Sequence, residues 1–308
     1  MPVFTINNQS LIPVKEVAFD REKNLQALTE DNLEAVFGLS LIAHEIQLNG
    51  LRIDTLGFNQ ETKSFVIIEY KKDRSFSIID QGYAYLSLVL NNKADFILEY
   101  NEGQKNNLKR EDVDWSQTRV VFIANSFTIH QKNAINFKDL PIELWEVKKY
   151  SNDTLLYNQL QTPDSSESIK TVSRSATVEK VSREVKNYTV DDHFNDGWES
   201  SKELFESIRQ KILDIDPRVV EKVNKFYIGY KIGFYNICAL HIQKSKLRLD
   251  LVRVDKKDLK DPENRVVQVN WQKLEWGKQA SYSIESASDI EYGIYLIKQV
   301  YEKYYKSL

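Results

Sequence analysis

Two apolar runs joined by a short polar turn constrain this chain more than any other feature. Residues 51–58, LRIDTLGF, and 64–71, SFVIIEYK, are rich in β-branched and aromatic side chains, and NQETK lies between them. The pattern predicts two strands joined as a hairpin. The buried run Phe65-Val66-Ile67-Ile68 ends in Glu69-Tyr70-Lys71. Side chains on a strand repeat every second residue, so Glu69 and Lys71 share a face. The hairpin brings Asp54 beside that strand end. Two carboxylates and an ammonium therefore converge at the edge of an apolar sheet.

The elements around this hairpin alternate. Residues 30–47 carry Leu33, Val36, Phe37 and Leu41 at helical spacing, with Thr29 and Asp31 as capping residues. A helix is expected there. Residues 77–91 read as an amphipathic helix, 94–100 and 118–124 as strands, 129–139 as a helix and 142–148 as a strand. Strands mixed with helices at this spacing predict an α/β sandwich around a mixed sheet. Residues 161–187, rich in Ser, Thr and charge and poor in aromatics, read as a linker. The expected division is a domain at 1–160, the linker, and a C-terminal α+β domain at 188–308. In the latter, helices are expected at 197–214, 217–226 and about 288–306, around an antiparallel sheet built from FYIGYKIG, FYNICALHIQ, KLRLDLVRV and RVVQVNW.

Charge and cysteine content narrow the function classes. The single cysteine, Cys238, excludes an intrachain disulfide and a multi-cysteine zinc site. No run of ~18 apolar residues is present, so no membrane helix is expected. The N-terminus lacks an apolar secretory core, and a cytoplasmic protein is the expectation. The net charge of −3 gives no overall nucleic-acid footprint. Its distribution is uneven: residues 201–308 hold 20 Lys and Arg against 15 Asp and Glu. A basic third suits contact with phosphates, and equally a lysine-rich solvated surface.

The Asp54, Glu69 and Lys71 group has a definite chemical use. Two carboxylates hold Mg²⁺ (or Mn²⁺) through hard oxygen ligands, with water filling the remaining positions. Such an ion polarises a phosphate and lowers the pKa of a bound water, while the lysine orients that water or stabilises developing charge. The competing reading is a solvated strand end or a salt bridge, since D-x14-E-x-K arises by chance in many chains. The helix that follows carries Gln81 and Tyr85, spaced i and i+4 on one face. Packing of that helix on the sheet is their alternative role.

The run RIDTLGFNQETKSFVIIEYKK followed by DQGYAY resembles the PD-(D/E)xK nuclease superfamily, especially its RecB-like and NucS-like branches. The resemblance covers roughly residues 25–150. It implies a restriction-endonuclease-like core, a mixed sheet flanked by helices. It also implies that Asp54 is the motif aspartate, Glu69-Tyr70-Lys71 the E-x-K, and Gln81-x-x-x-Tyr85 the helical motif. Glu34 matches the acid that often precedes the strands in this family, with Glu45 competing for the role. The implied function is a Mg-dependent nuclease cleaving DNA in repair, restriction or defence, often as a homodimer. The alternative is a non-catalytic nucleic-acid-binding or assembly module on the same fold.

The second half is similar, over YTVDDHF, KVNKFYIGYKIGF and KSKLRLDL, to a C-terminal domain of unknown function. That domain occurs in bacterial proteins with a similar first half, some catalogued as predicted transport proteins. Its segment from Lys222 to Lys260 is basic and laced with aromatics, which suits nucleic-acid contact through Lys231, Lys244, Lys246 and Arg248. The alternative is a sheet whose basic edges resist edge pairing. Asp191, Asp192, His193 and Asp196, clustered before a helix, read as capping residues, with metal binding as the alternative. Cys238 and His241 read as core, and the five tryptophans as packing residues.

Overall fold

The computed structural model describes residues 2–19, 21–71, 77–137, 140–160, 175–186, 188–233, 235–269 and 278–306. The chain divides into two units, Met1–Asn187 and Tyr188–Leu308. The first is an α/β unit with a mixed sheet flanked by helices. The second is a separate α+β unit with an antiparallel sheet. No helix among the described residues is long and apolar enough to cross a membrane.

The first unit begins with a two-stranded hairpin, β1 (Val3–Asn7) and β2 (Ser10–Val14). Then follow β3 (Glu16–Val17), helices α1 (Glu22–Asp31) and α2 (Leu33–Phe37), and strands β4 (Ser40–Leu48), β5 (Leu51–Asn59) and β6 (Ser64–Lys71). Helices α3 (Ile78–Asn91) and α4 (Lys93–Gln104) lead to β7 (Arg119–Ala124), α5 (Ile129–Ala134), β8 (Ile142–Tyr150) and β9 (Leu155–Gln159). The sheet order is β3-β8-β7-β6-β5-β4, with β9 also paired to β8. β6, β7 and β8 run parallel and the other pairs antiparallel. β6 is central and parallel on one side, which explains its unbroken apolar run: Phe65, Val66, Ile67 and Ile68 are fully buried.

The two faces of this sheet carry different helices. α3 lies against the face of Phe65 and Ile67. A Cβ on Gly82 would sit 2.4 Å from Cδ1 of Ile142, so the helix closes directly onto β8 there. α1 lies on the opposite face, where its Glu30 accepts a hydrogen bond from the Thr55 hydroxyl.

Four expectations need correction here. The helix expected over 30–47 stops at Gly38, whose left-handed φ of 63° caps α2. Residues 40–48 instead form β4. Asn49 and Gly50, both at positive φ, make the two-residue turn into β5, the turn that Asn-Gly favours. The strand expected at 94–100 is α4, whose Phe96 and Tyr100 are buried one turn apart. Residues 217–226 contain no helix; Val220–Val223 is a strand with alternating exposure. Residues 175–186 of the expected linker form helix α6 (Ala176–Glu184), with Val178, Val181 and Val185 buried in the first core. Their spacing is an apolar stripe that the polar composition hides. The rest of that linker, 161–174, lies outside the described residues.

The second unit comprises α7 (Glu199–Leu213), β10 (Val220–Val223), β11 (Ile228–Ile232), β12 (Tyr235–Ile242), β13 (Leu247–Val252), β14 (Val267–Val269), β15 (Gln279–Ile284) and α8 (Ser288–Tyr304). The sheet order is β10-β11-β12-β13-β15-β14, all antiparallel. Phe205, Ile208 and Ile212 of α7 share one core with Ile294, Ile297 and Val300 of α8 and with Leu247, Leu249 and Leu251 of β13. Both long helices therefore cover the same face of the sheet. Cys238 is fully buried in that core, and burial pushes its thiol pKa up.

Candidate active site

The site forms where the β5–β6 ladder ends. The last paired residues are Thr55 and Ile68. One step further, Asp54 and Glu69 stand opposite each other with side chains on the α3 face. The Asp54 Oδ2 accepts the Tyr70 backbone N–H at 3.0 Å, so the carboxylate itself takes a donor that the ladder leaves behind. Glu69 is only 5% exposed. Its Oε1 accepts from Lys71 Nζ at 2.7 Å and from Gln81 Nε2 at 3.2 Å. The same Gln81 nitrogen lies 3.1 Å from the Tyr85 hydroxyl oxygen, and that hydroxyl donates to the Arg52 carbonyl at 2.8 Å. Ser77 caps α3 by accepting from Asp80 N–H, which fixes where the helix starts and so where Gln81 projects.

The structure thus gathers Asp54, Glu69, Lys71, Gln81 and Tyr85 on one face. Glu34 is not among them: it is exposed on α2. The acid that reaches the hairpin is Glu30, one helical turn earlier. Its Oε1 accepts from Thr55 Oγ1 and from Gln26 Nε2, and that Gln26 amide also donates to the Asp54 carbonyl at 3.2 Å. Glu30 and Gln26 work from the α1 face and hold the backbone of β5 at Asp54. Glu30 and Gln26 are spaced i and i+4, a signal available in the sequence. Only the tertiary pairing shows which turn of the helix meets β5. On the other side, Glu45 lies beside Asp54 across the β4–β5 pair, at a positive φ of 53°. It ion-pairs with Arg52 at 2.8 Å.

Electrostatically the site is under-compensated. Burial, and next the charge of Asp54, raise the pKa of Glu69 against the pull of Lys71. Burial raises that of Asp54 too, against the Tyr70 N–H and Lys71. The Glu69 Oε2 is buried and has no hydrogen-bond partner among the described residues. Such an atom costs free energy unless something supplies the missing interaction. Two facing carboxylates that repel each other, one with a free oxygen, form an oxygen-only donor set suited to a hard divalent ion. Among the described residues no group of three or more His, Cys, Asp or Glu gathers as a metal cluster. An ion here would rest on two carboxylates, with other oxygens completing its shell.

The four basic residues singled out in the second half do not form one patch. Lys231 and Arg248 lie on the sheet face away from the helices. Lys244 is exposed in the β12–β13 turn. Lys246 ion-pairs with Glu285 at 3.2 Å. Arg248 donates twice to Asp250, at 3.0 and 3.1 Å. His241, expected in the core, is instead partly exposed and places Nε2 2.8 Å from the Asp250 carboxylate. Asp192 closes a capping box with Thr189 on the short 3-10 turn Val190–His193 and Asp191 pairs with Lys202, whereas α7 itself starts after Trp198 with no side-chain cap.

Comparison with known proteins places the whole chain. An uncharacterized protein of Haemophilus influenzae is 41% identical over 301 residues, which span 97% of this chain and 99% of that one. The chain belongs to that protein's family. Residues 190–302 match the family described as "Domain of unknown function (DUF5655)". Among solved structures, a repair endonuclease from Pyrococcus abyssi aligns over 43% of this chain and 49% of that chain, with 17% identity and a TM-score of 0.24. An EndoMS–double-stranded-DNA complex aligns over 43% and 47%, with 16% identity and a TM-score of 0.25. The chain thus spans about half the length of each of these structures.

Proposed function

We propose that the first unit hydrolyses phosphodiester bonds in nucleic acid, DNA foremost, with Mg²⁺ or Mn²⁺ held by Asp54 and Glu69. The observation that carries this reading is the buried Oε2 of Glu69, without a partner among the described residues, on a carboxylate that faces a second one. A purely structural ion pair would satisfy both oxygens, whereas this pair keeps one in reserve. A divalent ion, when bound, supplies Lewis-acid polarisation of a phosphate and a more acidic water.

The chain's own residues do the rest. Lys71, 2.7 Å from Glu69, favours the ionised carboxylate against its burial and presents an ammonium beside the carboxylate pair. There it can donate to a phosphate oxygen as negative charge develops. Gln81 holds the Glu69 carboxylate from the helix side through Oε1. Tyr85 fixes Gln81 and ties α3 to the β5 backbone at Arg52. Gln26 and Glu30 hold the backbone of β5 at Asp54 from behind. The strand pair, buried and rigid, keeps the two acids in register; pre-organisation of this kind is what a hydrolytic site needs.

The test is cleavage of plasmid, linear and modified DNA, and of RNA, in Mg²⁺ or Mn²⁺, beside Asp54→Ala, Glu69→Ala and Lys71→Ala. Divalent-dependent cleavage lost in all three variants is the expected result. Equal turnover in wild type and variants, or salt-dependent binding with no cleavage in either metal, would leave a binding module in place of an enzyme.

A further inference from the structure

We infer that the N-terminal hairpin of β1 and β2 is a contact surface for a second copy of this chain, the two hairpins packing apolar face on apolar face about a two-fold axis. The inference is independent of the hydrolysis proposed above, because no residue of the hairpin belongs to that site. It begins in the sequence. Residues 1–14, MPVFTINNQSLIPV, hold no charged side chain, in a chain that is 28% charged. The strand register sorts them into two faces. Phe4 pairs with Pro13 and Ile6 with Leu11, and the pair of Thr5 and Ile12 lies between. Directly paired residues share a face and successive ones alternate. Phe4, Ile6, Leu11 and Pro13 therefore make one face, and none of the four has a polar side chain.

The hairpin is shaped at both ends and bare between them. Asn8 and Gln9, at φ of 46° and 69°, make the two-residue turn, and the left-handed pair matches the twist of the strands. At the root, the Lys15 carbonyl accepts the Ser151 N–H at 2.9 Å and the Lys15 N–H donates to Ser151 Oγ at 3.3 Å. No residue of β1 or β2 joins the first unit's core. Ile6 is 79% exposed, Leu11 62% and Phe4 44%, and Pro13 is exposed with them. A lone two-stranded hairpin is marginal in water, and gains stability when its apolar face is covered.

The absence of charge points to a second copy as the cover. Exposed strands that must stay apart carry lysines or inward-turned charges, and these two strands carry neither. Elsewhere among the described residues, large exposed apolar side chains such as Leu28, Leu98, Ile129 and Val267 stand on separate elements. The surface of this chain that matches an uncharged apolar face is thus the same face on another copy. A two-fold axis sets a patch against itself, so that any charge on it would meet its own like. This face has none to repel. Its area is on the order of 300–400 Å², the scale at which an apolar patch on a monomer is commonly a contact site. That is below the ~800 Å² per partner of a standard stable interface. A dimer with a Kd of micromolar order follows.

The experiment is sedimentation velocity on the full-length protein in EDTA, at concentrations from about 1 to 300 µM, a span that brackets a micromolar Kd. Wild type is expected to pass from monomer to dimer within that range. Ile6→Lys/Leu11→Lys and Ile6→Glu/Leu11→Glu each set like charges across the two-fold axis and should raise the Kd about tenfold or more. Mixing the two variants should restore a dimer, because opposite charges then face each other; only contact between this face and its own copy gives that result. Ile129→Lys, at an exposed apolar residue of α5, should leave association unchanged. Should a charged variant lose its thermal transition, Ile6→Ser/Leu11→Ser is the second variant, with a smaller rise in Kd. Wild type that stays monomeric throughout would overturn the inference, and cosedimentation of that monomer with phosphatidylcholine vesicles would give the face to a membrane instead. Folded charged variants that associate like wild type, a mixture no more dimeric than either variant alone, or an equal loss from Ile129→Lys would overturn it as well.

Discussion

Glu69 and Asp250 are both nearly buried acids on strands, and each has a cation two residues away on its own face. Their surroundings differ. Both oxygens of Asp250 are engaged, by Arg248 and His241. Glu69 uses one oxygen for Lys71 and Gln81, and its other oxygen has no partner among the described residues, while a second acid stands opposite. The difference separates a carboxylate that organises its neighbours from one that lacks a partner for one oxygen among the described residues. Burial alone does not make a site. Burial with an unmet interaction carries a cost that a bound ligand would remove, and at Glu69 a second carboxylate stands opposite as a further donor.

Activity separates the two acids most directly. Glu69→Gln and Asp54→Asn should each lower divalent-dependent cleavage by about 10²-fold or more, as expected for a group acting on developing charge. Asp250→Asn, measured on an oligonucleotide at saturating concentration, should leave kcat near wild type. Comparable kcat losses in both units would erase the distinction.

Stability should show the opposite ranking. Asp250→Asn strands Arg248 and His241 beside a neutral amide. Arg248 is about a third exposed, so the cost is about 2 kcal/mol, below the ~3–5 typical of fully buried pairs. A calorimetric Tm several degrees lower is expected. Glu69→Gln removes a repelled, desolvated charge and should leave the metal-free Tm equal or higher. A large fall in that variant would mean Glu69 is a structural ion pair after all.

The pH dependence sharpens this further. Both Asp54 and Glu69 have folded pKa values above their ordinary 3.8 and 4.5. A carboxyl raised in the fold binds its proton more tightly folded than unfolded. Its contribution is therefore most favourable at low pH and is lost as pH climbs through the raised folded value. Without metal, the Tm gain of Glu69→Gln over wild type should grow as pH rises from the ordinary carboxylate range to neutrality. With Mg²⁺, which needs both acids ionised, the gain should shrink or reverse. A pH-independent difference in both conditions would contradict the raised values.

The smallest effects concern the first helix. Glu30→Gln should loosen β5 at Asp54 and lower stability by about 1 kcal/mol, the usual scale for one hydrogen-bonding group. Exposed Glu34→Gln should stay within ~0.5 kcal/mol and keep full activity. Urea titration and the cleavage assay together read both; an activity loss confined to Glu34→Gln would restore Glu34 to the site.

How much of this was legible beforehand depended on range along the chain. The hairpin of β5 and β6, the E-x-K pair and the Gln81–Tyr85 spacing are local patterns, set by the two-residue strand period and the helical turn. They were readable. Residues 40–48 do not read as a strand, because helical spacing upstream outweighs the Asn49-Gly50 turn. Residues 94–100 are β-prone by composition, yet they continue from α3 as a helix because Phe96 and Tyr100 find the core one turn apart. Propensity lost to packing there. The three valines of α6 were masked by serine and charge.

The sequence by itself determined the two kinds of fold, the basic character of the last third, and the residue types able to gather at the end of the β5–β6 hairpin. Only the tertiary structure decided that Glu30 rather than Glu34 meets β5, that one Glu69 oxygen has no partner among the described residues, and that His241 and Arg248 gather around Asp250. The physical reason is that periodicity fixes the direction of a side chain relative to its own strand or helix. Which partner it meets depends on register between strands far apart in the chain, and register is settled by the packing of the whole core.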